Sequence, residues 1–206
     1  MNTYFITGIG TEVGKTLISA IFVEALQADY WKPVQAGDLQ NSDTHKVKNL
    51  VGNPTSHFFE NAYALKTPMS PHAAAQIDNI QIDMSNIKRP RTNNNLIIEG
   101  AGGLLVPLND NDCIIDLIQP EDKIILVSRH YLGSINHTLL SVEALQKRGH
   151  KHIGIVFSGD EHPTTESIIL STTKVKFLGR IPELKNINQE KVSTQAESFR
   201  KNLKEF

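Results

Sequence analysis

The sequence predicts an α/β fold built on a doubly wound, mostly parallel sheet with helices on both faces, and three observations lead there. Near-continuous apolar runs recur along the chain without polar alternation, as strands buried on both faces require. Between them lie stretches whose apolar residues are spaced three and four apart, the pattern of helices that bury one face. The first run, "TYFITG", passes through a glycine-rich turn straight into such a helical pattern, "LISAIF". Right-handed crossovers between parallel strands then put ligands beyond the C-terminal ends of the strands, so functional residues are sought there.

Taken in order, strands are expected at 3–7, 30–34, 95–99, 123–128, 152–158 and 176–181. Ile18, Ile21, Phe22 and Ala25 share one face of the helix after the first strand, and Ile135, Leu139, Val142 and Leu145 share a face of a later one. Residues 52–94 carry Pro54, Pro68, Pro71, Pro90 and the run Asn93-Asn94-Asn95, and read as an irregular excursion between strands. One domain spanning 1–206 is expected.

The turn after the first strand approaches the phosphate-loop template of glycine, four spacers, glycine, lysine and a hydroxyl residue. Here five residues separate Gly8 from Gly14-Lys15-Thr16, one more than the template has. Glycines let backbone N–H groups reach phosphate oxygens, and the helix start adds partial positive charge. Lys15 is placed to grip the terminal phosphates and Thr16 to hold magnesium, which makes ATP the expected ligand.

Composition narrows the remaining classes. The chain has 206 residues, 39% hydrophobic and 21% charged, with a net charge of −1, and a pI near 6.7. Such a balance argues against a general nucleic-acid surface, and the one basic cluster, Lys88-Arg89-Pro90-Arg91, falls in an expected solvated connection. No apolar run approaches membrane-spanning length and no leader is evident, so a cytoplasmic location is expected. The single cysteine, Cys113, lies in the apolar "CIIDLI" and reads as a small core residue in preference to a reactive thiol. The eight histidines show no metal-ligand spacing.

Three further strand ends bring polar groups. Lys32 lies near the end of the second strand and Asp43 follows in a polar loop; plain readings are an edge lysine that aids solubility and an N-cap for a helix starting near Thr44. Glu99 closes the apolar "NLIIE" and enters Gly100-Ala101-Gly102-Gly103, where glycines permit close approach of a ligand. A carboxylate on a neighbouring strand end completes the magnesium site of phosphate-loop proteins, because the ion takes oxygen ligands between the last two phosphates. Gly133 and Ser134 open another helix with Asn136 in its first turn, a group suited to a carboxylate, although Ser134 as an N-cap would explain the serine alone.

With these residues in order, the sequence resembles the dethiobiotin synthetase family of phosphate-loop enzymes. The resemblance rests on "TGIGTEVGKT", "KPVQAG" followed by "NSD", "SPHAAA", "IEGAGGLLVPL", "LGSINHTLL" and "LGRIPEL". It implies an ATP- and magnesium-dependent ligase that takes 7,8-diaminopelargonic acid and CO2 to dethiobiotin, through a carbamate and a carbamic-phosphoric anhydride. By that resemblance Thr16, Asp43 and Glu99 hold the metal, and Lys15 and Lys32 hold the carbamate and phosphates. Thr11, Glu12, Val13, Gly14 and Gly102 join the nucleotide site, with Thr11 also facing substrate. Gly133, Ser134 and Asn136 receive the substrate carboxylate across a homodimer. Two departures stand out: Ala36 replaces a common serine that would contact substrate, and Ser158 replaces an asparagine that reads adenine, leaving the Ile181, Pro182 and Glu183 backbone as a further base contact.

Two other readings share the fold. One is a different ATP-dependent amidoligase of the superfamily. The other is a switch ATPase of the partitioning kind, which usually has an extra lysine early in the loop and often a membrane-binding amphipathic tail. Here "GIGTEVG" has no lysine, and Phe199, Leu203 and Phe206 give the tail only a weak apolar face.

Overall fold

The computed structural model describes residues 1–206. Its main sheet has seven strands, every neighbouring pair parallel. In chain order these are β1 (Thr3–Gly8), β2 (Asp29–Trp31), β4 (Phe58–Phe59), β6 (Leu96–Gly103), β7 (Lys123–Arg129), β8 (Ile153–Ser158) and β9 (Lys176–Ile181). Across the sheet they run β4-β2-β6-β1-β7-β8-β9. A separate ribbon pairs β3 (Val34–Ala36) with β5 (Tyr63–Leu65). The helices are α1 (Lys15–Leu26), α2 (Asp43–Leu50), α3 (Pro71–Ile77), α4 (Ser134–Lys147), α5 (Pro163–Thr173) and α6 (Gln189–Lys204).

Strand alternation sorts the apolar residues into two layers. Tyr4, Ile6, Tyr30, Ile97, Ile125, Val127 and Val156 face α1 and α6 on one side. Phe5, Trp31, Ile98, Ile124 and Ile153 face the opposite layer, where Ala74 and Ala75 of α3 and Leu145 of α4 pack. The doubly wound architecture expected from the apolar runs is the one observed.

Several local expectations need correction. The strand expected at 30–34 is two strands in two sheets, because Pro33 has no N–H to continue the ladder. The chain leaves the sheet there, and the Pro33 carbonyl accepts from the N–H groups of Ala62 and Tyr63. On α4 the buried face is Ser134, Thr138, Val142 and Leu145; Ile135 is exposed and Leu139 lies at its edge. Small polar residues occupy the face because the Thr138 hydroxyl donates to the Ser134 carbonyl, within its own helix, and shares a hydrogen bond with Ser128 of β7. Arg89 is not solvated: it pairs with the fully buried carboxylate of Asp122 and donates to the Leu117 carbonyl. Cys113 is half-buried at the margin of a core layer.

The apolar face of the C-terminal segment is spent inside the molecule. Val192, Ala196, Phe199 and Leu203 of α6 are buried, and Phe199 meets Phe22 of α1 with ring centroids 5.4 Å apart. No helix is long and apolar enough to cross a membrane. Phe199→Ala should cost about 3–5 kcal/mol through lost burial and the cavity left behind, read as a lower urea midpoint with little change in slope.

Candidate active site

Four strand ends deliver the polar residues. After β1 the chain forms a loop that closes on Gly14, whose φ of 99° belongs to the left-handed region. A side chain there would be strained by the backbone, and its Cβ would crowd Ser158 Oγ at 3.0 Å. Gly14 caps α1 without any side-chain hydrogen bond. The first N–H groups of the helix are therefore left for an incoming anion. Glu12, also left-handed at φ 56°, has its carbonyl held by Arg129 Nη1 at 3.2 Å.

Glu99 owes its position to a break in register. Strand β6 pairs regularly with β1 up to Ile6 and Glu99, then shifts so that Gly8 meets Gly103. The extra residues bulge at Gly100 to Gly102, and Gly102 adopts φ 67° with its Cα facing Val106 and Thr11. The Glu99 side chain, fully buried, is thereby left at the end of the regular ladder. Its Oε1 accepts from Thr16 Oγ1 at 3.0 Å and from Lys32 Nζ at 3.0 Å. Its Oε2 accepts from the buried Tyr30 hydroxyl at 2.9 Å.

Lys32, 4% exposed, is no edge lysine. Its ammonium sits between the carboxylates of Glu99 and Asp43. Burial works against that charge, but the two carboxylates outweigh it and hold Lys32 above the ordinary lysine range. Asp43 is not an N-cap. Ser42 caps α2, its Oγ accepting from the His45 N–H, and Asp43 is the first helical residue, with its N–H on Gln35 Oε1. Burial pushes the Asp43 carboxyl up, but Lys32 prevails and holds it below the ordinary range. Lys15 is buried too and donates to the Gly10 carbonyl at 2.8 Å. Burial pulls it down to about 8, against the pull of Glu99 in the other direction.

Thr11, Glu12, Gly14, Lys15, Thr16, Lys32, Ala36, Asp43, Glu99 and Gly102 all line one cavity of about 680 Å3. Pro68, Met69, Ser70 and Pro71 close its far side. Oxygen donors suit a hard divalent ion, and the 3.0 Å between Thr16 Oγ1 and Glu99 Oε1 matches the edge of about 2.9 Å that an octahedron with magnesium–oxygen bonds near 2.05 Å has. Gly133, Ser134 and Asn136 lie elsewhere, in a second cavity of about 880 Å3 that Ser158 and Glu183 also line. Ser134 is not the cap of α4; Gly133 is. Val13 and Ile181 are buried in a core layer and line neither cavity; the Ile181 carbonyl accepts from the Gly159 N–H. Pro182 and Glu183 are exposed beside them, and Glu183 pairs with Arg129.

Sequence reasoning passed over Tyr30 and Arg129. For Tyr30 a signal existed: it lies two residues before Lys32 in an extended segment, and so on the same face.

A parallel sheet of this order, with a glycine loop, lysine and hydroxyl at the start of the helix after its central strand, defines a phosphate-loop nucleotide-binding protein. Comparisons narrow the class. Residues 2–191 match the family described as AAA domain. The "ATP-dependent dethiobiotin synthetase BioD" of Christiangramia forsetii is 66% identical over 204 residues, covering 99% of both chains. The protein of the same name from Cytophaga hutchinsonii is 50% identical, covering 95% of this chain and 96% of its own. The chain belongs to the ATP-dependent dethiobiotin synthetase family. Among solved structures, a putative plasmid partition protein from Borrelia burgdorferi B31 bound to AMPPNP superposes with a TM-score of 0.62 over 100% of this chain and 99% of its own, at 13% identity. At that identity the likeness shows the fold alone.

Glu99→Gln keeps the size of the side chain but leaves the Lys32 ammonium short of one buried partner. It should cost about 3 kcal/mol of stability, measured by urea unfolding; a loss below a few tenths would mean that Asp43 alone suffices for Lys32.

Proposed function

We propose that this protein is an ATP- and magnesium-dependent ligase that converts 7,8-diaminopelargonic acid and CO2 to dethiobiotin, releasing ADP and phosphate. The observation that carries this reading is the convergence of Lys15, Thr16, Lys32, Asp43 and Glu99 in one cavity, in a chain of this family.

In the proposed reaction one substrate amine adds to CO2 and loses a proton, giving a carbamate. A carbamate oxygen attacks the γ-phosphorus and ADP departs; the second amine then attacks the carbamoyl carbon and phosphate leaves, closing the cyclic urea. No enzyme nucleophile is needed, so the protein's work is orientation and charge. Lys32, kept protonated by its carboxylates, is a fixed positive charge facing the carbamate. Lys15 and the free N–H groups of α1 receive the terminal phosphates. Thr16, Asp43 and Glu99 would hold magnesium, which offsets charge on the β- and γ-phosphates when bound.

The substrate carboxylate is assigned to Gly133, Ser134 and Asn136 of a second copy, in a homodimer. Two features support this. Those residues line a cavity apart from Lys15 and Lys32 within one chain. Beside them Leu132 is fully exposed and Tyr131 and Ile135 are partly so, an apolar surface of the kind that a partner covers. Ser158, against the phosphate loop, and the Ile181 to Glu183 turn are assigned to the base. Activity in the cytoplasm, away from membrane and nucleic acid, fits this chemistry.

The direct test is incubation with ATP, bicarbonate and 7,8-diaminopelargonic acid, with dethiobiotin detected by mass; phosphate release without that product would overturn the reading. Lys15→Ala should lower kcat at least about a hundredfold while circular dichroism stays that of the parent. Mixing inactive Lys15→Ala with inactive Asn136→Ala should restore activity to about a quarter of the parent. In a two-fold dimer half the molecules are mixed and each has one intact site; no recovery after subunit exchange would place the carboxylate site within a single chain.

A further inference from the structure

Tyr30 stands beneath the acidic centre of the site, and no part of the reaction above uses it. Its place follows from the sheet. Strand β2 pairs with β6 so that Tyr30 lies beside Ile97, and strand alternation puts Tyr30, Ile97 and Glu99 on one face. Glu99 is two residues further along that face, within reach of a phenol. The Tyr30 hydroxyl donates to Glu99 Oε2 at 2.9 Å. Its ring is wholly buried and fixed against Phe58, with centroids 6.1 Å apart.

The two carboxylate oxygens of Glu99 therefore have different surroundings. Oε1 faces Thr16 and Lys32 at 3.0 Å each, on the side of the cavity. Oε2 faces the core and is taken by the phenol. A carboxylate held this way offers a metal one oxygen. Magnesium accepts that, since it takes six ligands at short, regular distances, whereas calcium takes six to eight and is commonly bound by both oxygens of one carboxylate.

We propose that Tyr30 is a positioning residue that confines Glu99 to single-oxygen ligation and so sets the preference of the site for magnesium over calcium. The proposal rests on the reading of Glu99 as a metal ligand. Groups that orient a ligating side chain typically change metal affinity by about ten- to a hundredfold when removed.

The experiment is calorimetric binding of AMPPNP to the full chain in Mg2+, in Ca2+ and in EDTA, for the parent, Tyr30→Phe and Asp43→Asn. For the parent, binding should be tighter in Mg2+ than in Ca2+. Tyr30→Phe keeps the ring and frees Oε2, so the Mg2+-to-Ca2+ affinity ratio should fall about tenfold with the EDTA value unchanged. An unchanged ratio overturns the proposal, as does an equal loss in all three conditions, which would make Tyr30 a merely structural residue. The Asp43→Asn arm separates the two layers of inference. If it abolishes the magnesium effect while Tyr30→Phe leaves the ratio intact, only the role of Tyr30 falls. If Asp43→Asn keeps the full magnesium effect, the metal site falls and the role of Tyr30 with it. Infrared difference spectra of the unmodified protein give a check that needs no variant: adding Mg2+ with AMPPNP should produce the carboxylate splitting of single-oxygen ligation, and a two-oxygen splitting overturns the proposal.

Discussion

The site depends on a cation that the fold cannot leave unpaired. Lys32 is buried, and an isolated ammonium in such surroundings would cost several kcal/mol or give up its proton. Glu99 and Asp43 prevent both outcomes by enclosing it. That need ties together three elements: the exit of β2, the start of α2 shortly after it in sequence, and the middle of β6, where Glu99 lies 67 residues from Lys32. Glu99 in turn takes hydrogen bonds from Thr16 at the start of α1 and from Tyr30 within the sheet. The charge network thus fixes the relative positions of the phosphate loop and both acidic residues before any ligand arrives. Preorganisation of this kind is what the proposed reaction, which has no enzyme nucleophile, would draw on, since charge placed in advance costs no reorganisation during the reaction.

The two lysines answer to different constraints. Lys32 is charged because its partners are built in. Lys15 has no carboxylate in direct contact; its ammonium rests on the Gly10 carbonyl and burial draws its pKa down to about 8. A lysine in that state gains most from an anion, and in the proposed reading phosphate oxygens supply the partner that the fold withholds. The fold thus leaves Lys15 without an anionic partner, whereas the demand of Lys32 is met within the chain.

How much of this could be read from sequence varied with the range of the physics involved. The strands were legible because burial on both faces leaves unbroken apolar runs, as in "KIILVS" and "GIVF". The phosphate loop was legible because glycines and Gly-Lys-Thr are contiguous. The division of 30–34 was not, since it turns on whether the chain resumes pairing in the same sheet after Pro33, and the partner strand β5 lies some thirty residues away. The face of α4 was misjudged because hydroxyls satisfied within the helix and by β7 took places that periodicity gives to apolar side chains. Arg89 looked solvated because its partner Asp122 is 33 residues distant. Asp43 is undecided from sequence for a similar reason: cap and ligand readings use the same local pattern, and only the position of Ser42 over the helix start removes the cap reading.

The solved partition protein shows why the fold alone could not assign the chemistry. It matches nearly the whole chain in shape at 13% identity, so the sheet, its order and the loop are compatible with more than one kind of function. What distinguishes this chain lies in side chains that the sheet merely positions. The apolar stripe of α6 is turned inward onto Phe22, and the phosphate loop carries no lysine between Gly8 and Gly14. In its place the site has a buried ammonium facing the cavity from within the chain, flanked by oxygen donors. In the proposed reaction a small anion is held beside a γ-phosphate and needs such a fixed charge on its far side, whereas a switch that only senses the presence of the phosphate does not.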